Sequence, residues 1–279
     1  MGTNVKSIPK QGISSVSILS ALFFIIIAQA ATAAYGLDQS HMIWTTTRSV
    51  TSLRDLAKST LDSGDTIIFH YSPTGGPTST QITALKAVTN VPNSNKGFEF
   101  FSLASIQKYA SVARANGFGF VAYDLENGLS PSSEVSNPVL AFQQARMIAS
   151  ANGLKLMAAP GYPILSQYGT QIAKYIDIFH MQTQRMQDDD TTCTKMKNFV
   201  VSMVSKLETA KSSLAGHITY QTSFGAVPAA GKTLYQTQID CINAVSPTSI
   251  DGLSIWWTGA SYDDGSYAKV LKYHESKYS

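Results

Sequence analysis

Tyr123-Asp124-Leu125-Glu126 sets two carboxylates two residues apart at the end of an apolar run, Phe118-Gly119-Phe120-Val121-Ala122. Such a run reads as a buried strand. Alternation along it puts Asp124 and Glu126 on one face, with Tyr123 and Leu125 on the other. Carboxylates this close repel each other, so one of them holds a proton near neutral pH. A carboxyl that keeps its proton at neutral pH is what a general acid requires. The competing reading makes Asp124 a cap on the following turn and Glu126 one half of a surface salt bridge. What favours the catalytic reading is the set of elements around the pair.

From about residue 40 onward, short β-rich runs alternate with amphipathic helical stretches. Strands are expected at 42–47, 66–71, 98–102, 118–126, 155–159, 175–182, 217–222 and 252–257. Helices are expected through Leu53–Leu61, Ile82–Val88, Ile106–Ala113, Ala141–Ala151, from about Cys193 to Ser212, and near Leu234–Val245. Asn116-Gly117 reads as a left-handed helix end, and Asn152-Gly153 ends the next helix. Eight strands separated by helices imply parallel pairing through right-handed crossovers, and eight such units close on themselves. The expected fold class is α/β, a single (β/α)8 barrel of the TIM type, whose chemistry sits at the C-terminal ends of the strands.

Those ends carry Trp44, then His70 and Tyr71, Ser102, Asp124 and Glu126. The second half adds Tyr162, Gln182 and Gln184, Tyr220 and Gln221, and Trp256 and Trp257. Rings, amides and hydroxyls around one acidic pair suit a sugar: aromatic faces stack on C–H patches, while amides and hydroxyls pair with sugar hydroxyls. Substrate contacts are therefore expected from Trp44, Tyr71, Ser102, Tyr162, Gln182, Gln184, Tyr220, Trp256 and Trp257. The partner expected is a polysaccharide or oligosaccharide.

Other chemistries find little support. His70, His180 and His217 lack metal-ligand spacing, and no metal or cofactor is expected. The turn Ser72-Pro73-Thr74-Gly75-Gly76-Pro77 has no P-loop lysine, and no Gly-x-Ser-x-Gly elbow occurs. A lipid or phosphodiester hydrolase would need paired histidines or metal ligands. With a formal net charge of +3 that includes Lys6 and Lys10, no basic face for nucleic acid is expected.

The chain opens like an exported protein. Lys6 and Lys10 precede an apolar stretch from Ile18 to Ala28, and Ala31-Thr32-Ala33 offers a cleavage site before Ala34. The expected organisation is a secretory signal over 1–33 and a barrel domain over 34–279, the alternative being an uncleaved anchor. The ~245 residues after the signal match the size of one barrel. The mature chain is expected to be secreted, free of the membrane and monomeric. In an oxidising compartment, Cys193 and Cys241 are expected to form a disulfide.

A secreted barrel whose fourth strand ends in Asp-x-Glu resembles glycoside hydrolase family 18, the chitinases and their relatives. That family's strand-four motif is Asp-x-x-Asp-x-Asp-x-Glu. Laid on Gly119 to Glu126, its last two acids match as Asp124 and Glu126, and its two earlier acids fall on Gly119 and Ala122. Ser102 matches a Ser-rich turn at the third strand, and Trp256 or Trp257 matches the tryptophan of the last. Met181-Gln182-Thr183-Gln184 stands where the family places a tyrosine.

The resemblance implies substrate-assisted retaining cleavage, an exception to the two-carboxylate scheme in which the substrate's own N-acetyl oxygen is the nucleophile. Glu126 would protonate the leaving oxygen, and Asp124 would orient the acetamido group. Gln182 or Gln184 would stand in for the tyrosine, and Ala122 would leave Asp124 without the acidic neighbour that tunes it. The enzyme expected is a glycosidase of a β-linked, N-acetylated polysaccharide or cell-wall glycan. The other reading kept open is a non-catalytic, lectin-like carbohydrate-binding barrel.

Overall fold

The computed structural model describes residues 40–45, 61–70, 75–184, 186, 192–223, 234–245 and 252–256, and 269, 270, 272, 273 and 276 near the C-terminus. Side chains of 40–45, 223, 234 and 254–256 lie outside that description. So do Tyr71, Trp257, the expected signal over 1–33 and the expected helix ahead of residue 61.

Among the described residues there are eight strands: β1 Ser40–Thr45, β2 Thr66–His70, β3 Lys96–Phe100, β4 Phe120–Tyr123, β5 Lys155–Ala158, β6 Ile178–Met181, β7 Ile218–Ser223 and β8 Gly252–Trp256. Each pairs in parallel with the next, and β8 pairs with β1, which closes the barrel. The expected (β/α)8 fold is the one observed, within the unit Leu37–Ser279. No described helix is long and apolar enough to cross a membrane.

The helices between the strands are α1 Ser79–Lys86, α2 Leu103–Ala115, α3 Ser132–Val135, α4 Pro138–Ala151, α5 Tyr162–Ile172, α6 Thr194–Ala210 and α7 Leu234–Val245. Gly117 (φ +77°) takes the left-handed conformation expected after α2, and Gly153 (φ +64°) does the same after α4. Two expectations change here. The helix α5 fills a stretch for which no element was expected. Strand six begins at Ile178 rather than Tyr175, because Ala173–Tyr175 is a turn of 3-10 helix.

Alternation along the strands divides the core. Ile67, Phe69, Phe98, Phe100, Val121, Tyr123, Leu125, Phe179, Met181 and Tyr220 pack outward under the helices. Ile68, Phe120, Ala122, Met157, Ala159 and Ile178 fill the barrel interior. Gly97 is required there, since a Cβ on it would lie 2.3 Å from the Phe120 ring. Burying apolar area at about 25 cal/mol per Å² is what holds both layers together. Cys193 and Cys241 form the expected disulfide, joining the start of α6 to α7 across a separation of 48 residues. In the chain-entropy picture a loop of that length is worth ~4 kcal/mol.

Candidate active site

The two inward carboxylates of β4 emerge where expected. Asp124 is 2% exposed and Glu126 is half-buried, both facing the mouth of the barrel, while Tyr123 and Leu125 are buried outward. The loop is braced on both sides. On the outer side, the Tyr123 hydroxyl donates to Glu134, whose carboxylate also accepts from the Leu103 amide at 3.1 Å. Burial and the Glu134 carboxylate both push the Tyr123 phenol upward, so it stays a donor.

On the inner side, the Ser130 hydroxyl accepts from the Glu126 amide at 3.0 Å and donates to the Asp124 carbonyl at 3.1 Å. Ser130 thus ties the turn in place of Asp124, and among the described residues Glu126 forms no salt bridge. Gly161 lets Glu126 lie close to the loop after β5, since a Cβ there would sit 3.2 Å from Glu126 Cγ.

Around Asp124 the polar groups cluster. Gln182 Nε2 donates to Asp124 Oδ1 at 2.8 Å and to the Ala159 carbonyl at 3.0 Å. His70 Nδ1 lies 2.5 Å from Glu99 Oε2, and Glu99 is fully buried. Burial raises Asp124 well above the carboxylate range, helped by the charges of Glu99 and Glu126 and a hydrogen bond with Glu126, and opposed by the Gln182 amide. Burial also raises Glu99; the His70 charge and hydrogen bond oppose this, and the Glu126 charge adds to it.

His70, Glu99 and Asp124 each bring one donor atom to within 4.8 Å of the others. His70 Nδ1 is engaged with Glu99, and Asp124 Oδ1 with the Gln182 amide, so the cluster consists of two hydrogen-bonded pairs side by side. His180 lies apart from it, buried beside Thr219 with Nδ1 2.9 Å from Oγ1. Burial lowers His180 to about 3 and keeps it neutral.

Two cavities of about 260 Å³ each straddle Glu126 and share Gln182 and Gln184 in their walls. The inner one reaches His70, Phe101, Asp124 and Gln221; the outer one runs along Gly161, Tyr162, Pro163 and Ile164. Neither the oxygen nor the nitrogen of the Gln221 amide has a hydrogen-bond partner among the described residues, although the side chain is fully buried. An unpaired buried amide costs about 1–3 kcal/mol unless a ligand completes it.

The structure thus brings Asp124, Glu126, Tyr162, Gln182 and Gln184 together. Trp44 and Trp256 are register partners at the ends of β1 and β8. Two expected contacts are corrected. The Ser102 hydroxyl caps α2, accepting from the Ser105 amide at 3.2 Å, and does not line either cavity. Tyr220 packs outward in the layer under the helices, and its neighbour Gln221 faces the cleft instead. Glu99 was missed altogether, and with it the acidic neighbour that Ala122 had suggested was absent. The available signal was a charge inside the apolar run Phe98-Glu99-Phe100-Phe101, which is costly to bury without a purpose.

Solved structures similar to this chain include a family 18 chitinase catalytic domain from the fern Peteris ryukyuensis. Its TM-score is 0.57 at 16% identity, covering 85% of this chain and 98% of that one. The fold is shared with chitinases. A family 18 chitinase from Pseudoalteromonas aurantia gives 0.55 at 14% identity, covering 84% of this chain and 99% of the other. The spore cortex-lytic enzyme SleL of Bacillus megaterium gives 0.55 at 8% identity, covering 87% and 74%. No family model matches the chain, and no curated protein matches it in sequence. At these identities the likeness is one of fold, so function rests on the site.

Proposed function

We propose that the protein is an exported glycosidase that cleaves a β-linked, N-acetylated glycan with Glu126 as general acid. The observation that carries this is the buried Asp124 joined by a hydrogen bond to Glu126 between two cavities at the strand-four mouth, its carboxyl raised by burial and by the neighbouring carboxyls. The pair is too close to leave room for an attacking water between its members, which argues against the inverting arrangement. It suits cleavage in which the substrate's acetamido oxygen bonds to the anomeric carbon as the glycosidic C–O bond breaks. Glu126 gives its proton to the departing oxygen, and Asp124 holds the acetamido N–H as positive charge develops. Water then opens the cyclic intermediate and returns the proton to Glu126.

Gln221 and Gln184 offer amide groups to sugar hydroxyls or to the acetamido group, and Tyr162 offers an aromatic wall. Export is supported by the basic-then-apolar leader and by the Cys193–Cys241 disulfide, a bond that persists in oxidising compartments.

One observation favours the binding-only alternative. The Gln182 amide that stands at the tyrosine position is already engaged with Asp124 and Ala159, leaving less for the substrate. A panel of end-labelled oligosaccharides, offered to wild type and Glu126→Gln, separates the two. The glycosidase reading expects shortened products from wild type alone, with both proteins binding the same oligomer. Binding without products from either protein would leave the lectin-like barrel.

A further inference from the structure

Glu99 stands on β3 directly beside the position where strand four carries no acid. It is the register partner of Ala122 on one side and of His70 on the other. Ala122 brings only a methyl group to the interior at that height, and both residues are fully buried. One Glu99 oxygen meets His70 Nδ1 at 2.5 Å, and the other has no hydrogen-bond partner among the described residues.

We propose that Glu99 is a positioning residue for the Asp124–Glu126 pair, its carboxylate supplied from strand three in the place that Ala122 leaves vacant on strand four. His70 anchors it from β2. A carboxylate belongs at this point of the barrel because a negative neighbour keeps the proton on the pair. Here the neighbour has moved to the adjacent strand, which the parallel register allows without lengthening any loop.

The groups that face Asp124 are consistent with this role. His70 comes from β2, Glu99 from β3 and Glu126 from its own strand. Among the described residues β5 brings the uncharged Met157 and Ala159, β6 brings Gln182, and β7 brings Gln221. Glu99 and Glu126 are the neighbouring carboxyls, and both act to raise Asp124. Removing Glu99 leaves Asp124 with one carboxyl neighbour in place of two, which makes its proton easier to lose.

The test reads titration first and needs no substrate. Protein carrying ¹³C-labelled Asp and Glu side chains is titrated by NMR as wild type, Glu99→Gln and the double variant Glu99→Gln/Ala122→Asp. The Asp124 midpoint is expected to fall in Glu99→Gln and to return toward wild type in the double variant, because the carboxylate is put back on strand four. An Asp124 midpoint unmoved by Glu99→Gln overturns the proposal, and so does a fall that the double variant leaves unrepaired. Should Glu99→Gln fail to fold, Glu99→Asp keeps the charge and shortens its reach; the same logic then demands a smaller fall, and no fall overturns it.

The kinetic arm rests on the glycosidase reading. With a fluorogenic chito-oligosaccharide, the basic limb of the kcat profile should move to lower pH in Glu99→Gln while KM holds. Glu126 draws the proton it donates from its hydrogen-bonded pair with Asp124, so a pair that loses that proton more easily shuts the reaction off sooner as pH rises. A basic limb unmoved beside a lowered Asp124 midpoint overturns the positioning role. Complete absence of turnover in wild type, with the NMR shift present, counts against the glycosidase reading and leaves Glu99's hold on Asp124 standing.

Discussion

Lys96 and Glu99 are both buried charges on β3, three residues apart, and the barrel treats them in opposite ways. At the N-terminal end, Lys96 Nζ donates to the Val88 carbonyl at 2.6 Å and to Asn93 Oδ1 at 3.0 Å. Nearby, Asp177 pairs with Arg146 and accepts from the Leu156 amide at 2.9 Å. At the C-terminal end, Glu99, Asp124 and Glu126 crowd together, with one oxygen of Glu99 and the whole Gln221 amide unpaired among the described residues. One end satisfies its polar groups from within, and the other leaves them to be completed by something else. The first arrangement serves stability, and the second is what a ligand site looks like before it is filled.

That contrast predicts opposite responses to substitution. The largest effect belongs to Asp124→Asn, which should lower turnover on a cleavable oligosaccharide about 100-fold or more by losing charge stabilisation. The same change should raise the melting temperature at pH 7, worth ~1 kcal/mol. The sign follows from Asp124 being raised in the folded state: its contribution is complete below the unfolded value and is lost as pH rises through the folded one. Thermal melts at pH 4 and pH 7 check this, with the gain confined to the higher pH. A loss of stability at pH 7 would break the contrast.

At the opposite end, Asp177→Ala should cost about 2 kcal/mol by stranding Arg146 and the Leu156 amide. Urea melts would show the loss, and the Asp124 NMR midpoint should not move. Between the two stands Gly161→Ala. Its new Cβ would meet Glu126 Cγ at 3.2 Å, so the acid must shift by a few tenths of an ångström. Turnover should fall about tenfold, the kind of loss that misplaced catalytic groups bring, with the melting temperature nearly unchanged.

The smallest effect concerns His180. Its folded value of about 3 lies below the unfolded 6.5, so stability present above pH 6.5 is lost as pH falls from 6.5 towards 3. At pH 6 this is under about 1 kcal/mol, and His180→Gln should remove that share of the acid sensitivity in melts from pH 7 to 4.

Much of the barrel could be read from the chain because each element carries its own local signal. Strand runs and helical spacings placed all eight strands within three residues of their observed starts. The helix α5 was overlooked because Pro163 and Gly169 interrupt its pattern; Gly169 is there for close packing, with Met203 Sδ 3.5 Å from where its Cβ would stand. Alternation alone put Asp124 and Glu126 on one inward face.

The rest of the site depends on facts that a linear reading lacks. Ser102 looks the same as a helix cap or a ligand contact, and only its bond to the Ser105 amide decides. Tyr220 and Gln221 differ by one step of register, and one step moves a side chain to the other face. Glu99 meets Ala122 only across a parallel pairing.

The most direct measurement of the central claim is the first-formed anomer of the product, followed by ¹H NMR as wild type and Glu126→Gln act on a β-linked N-acetylglucosamine oligomer. The account predicts β-anomer appearing first from wild type, drifting slowly to the equilibrium mixture, and no product from Glu126→Gln. An initial α-anomer, or equal turnover by Glu126→Gln, would contradict it.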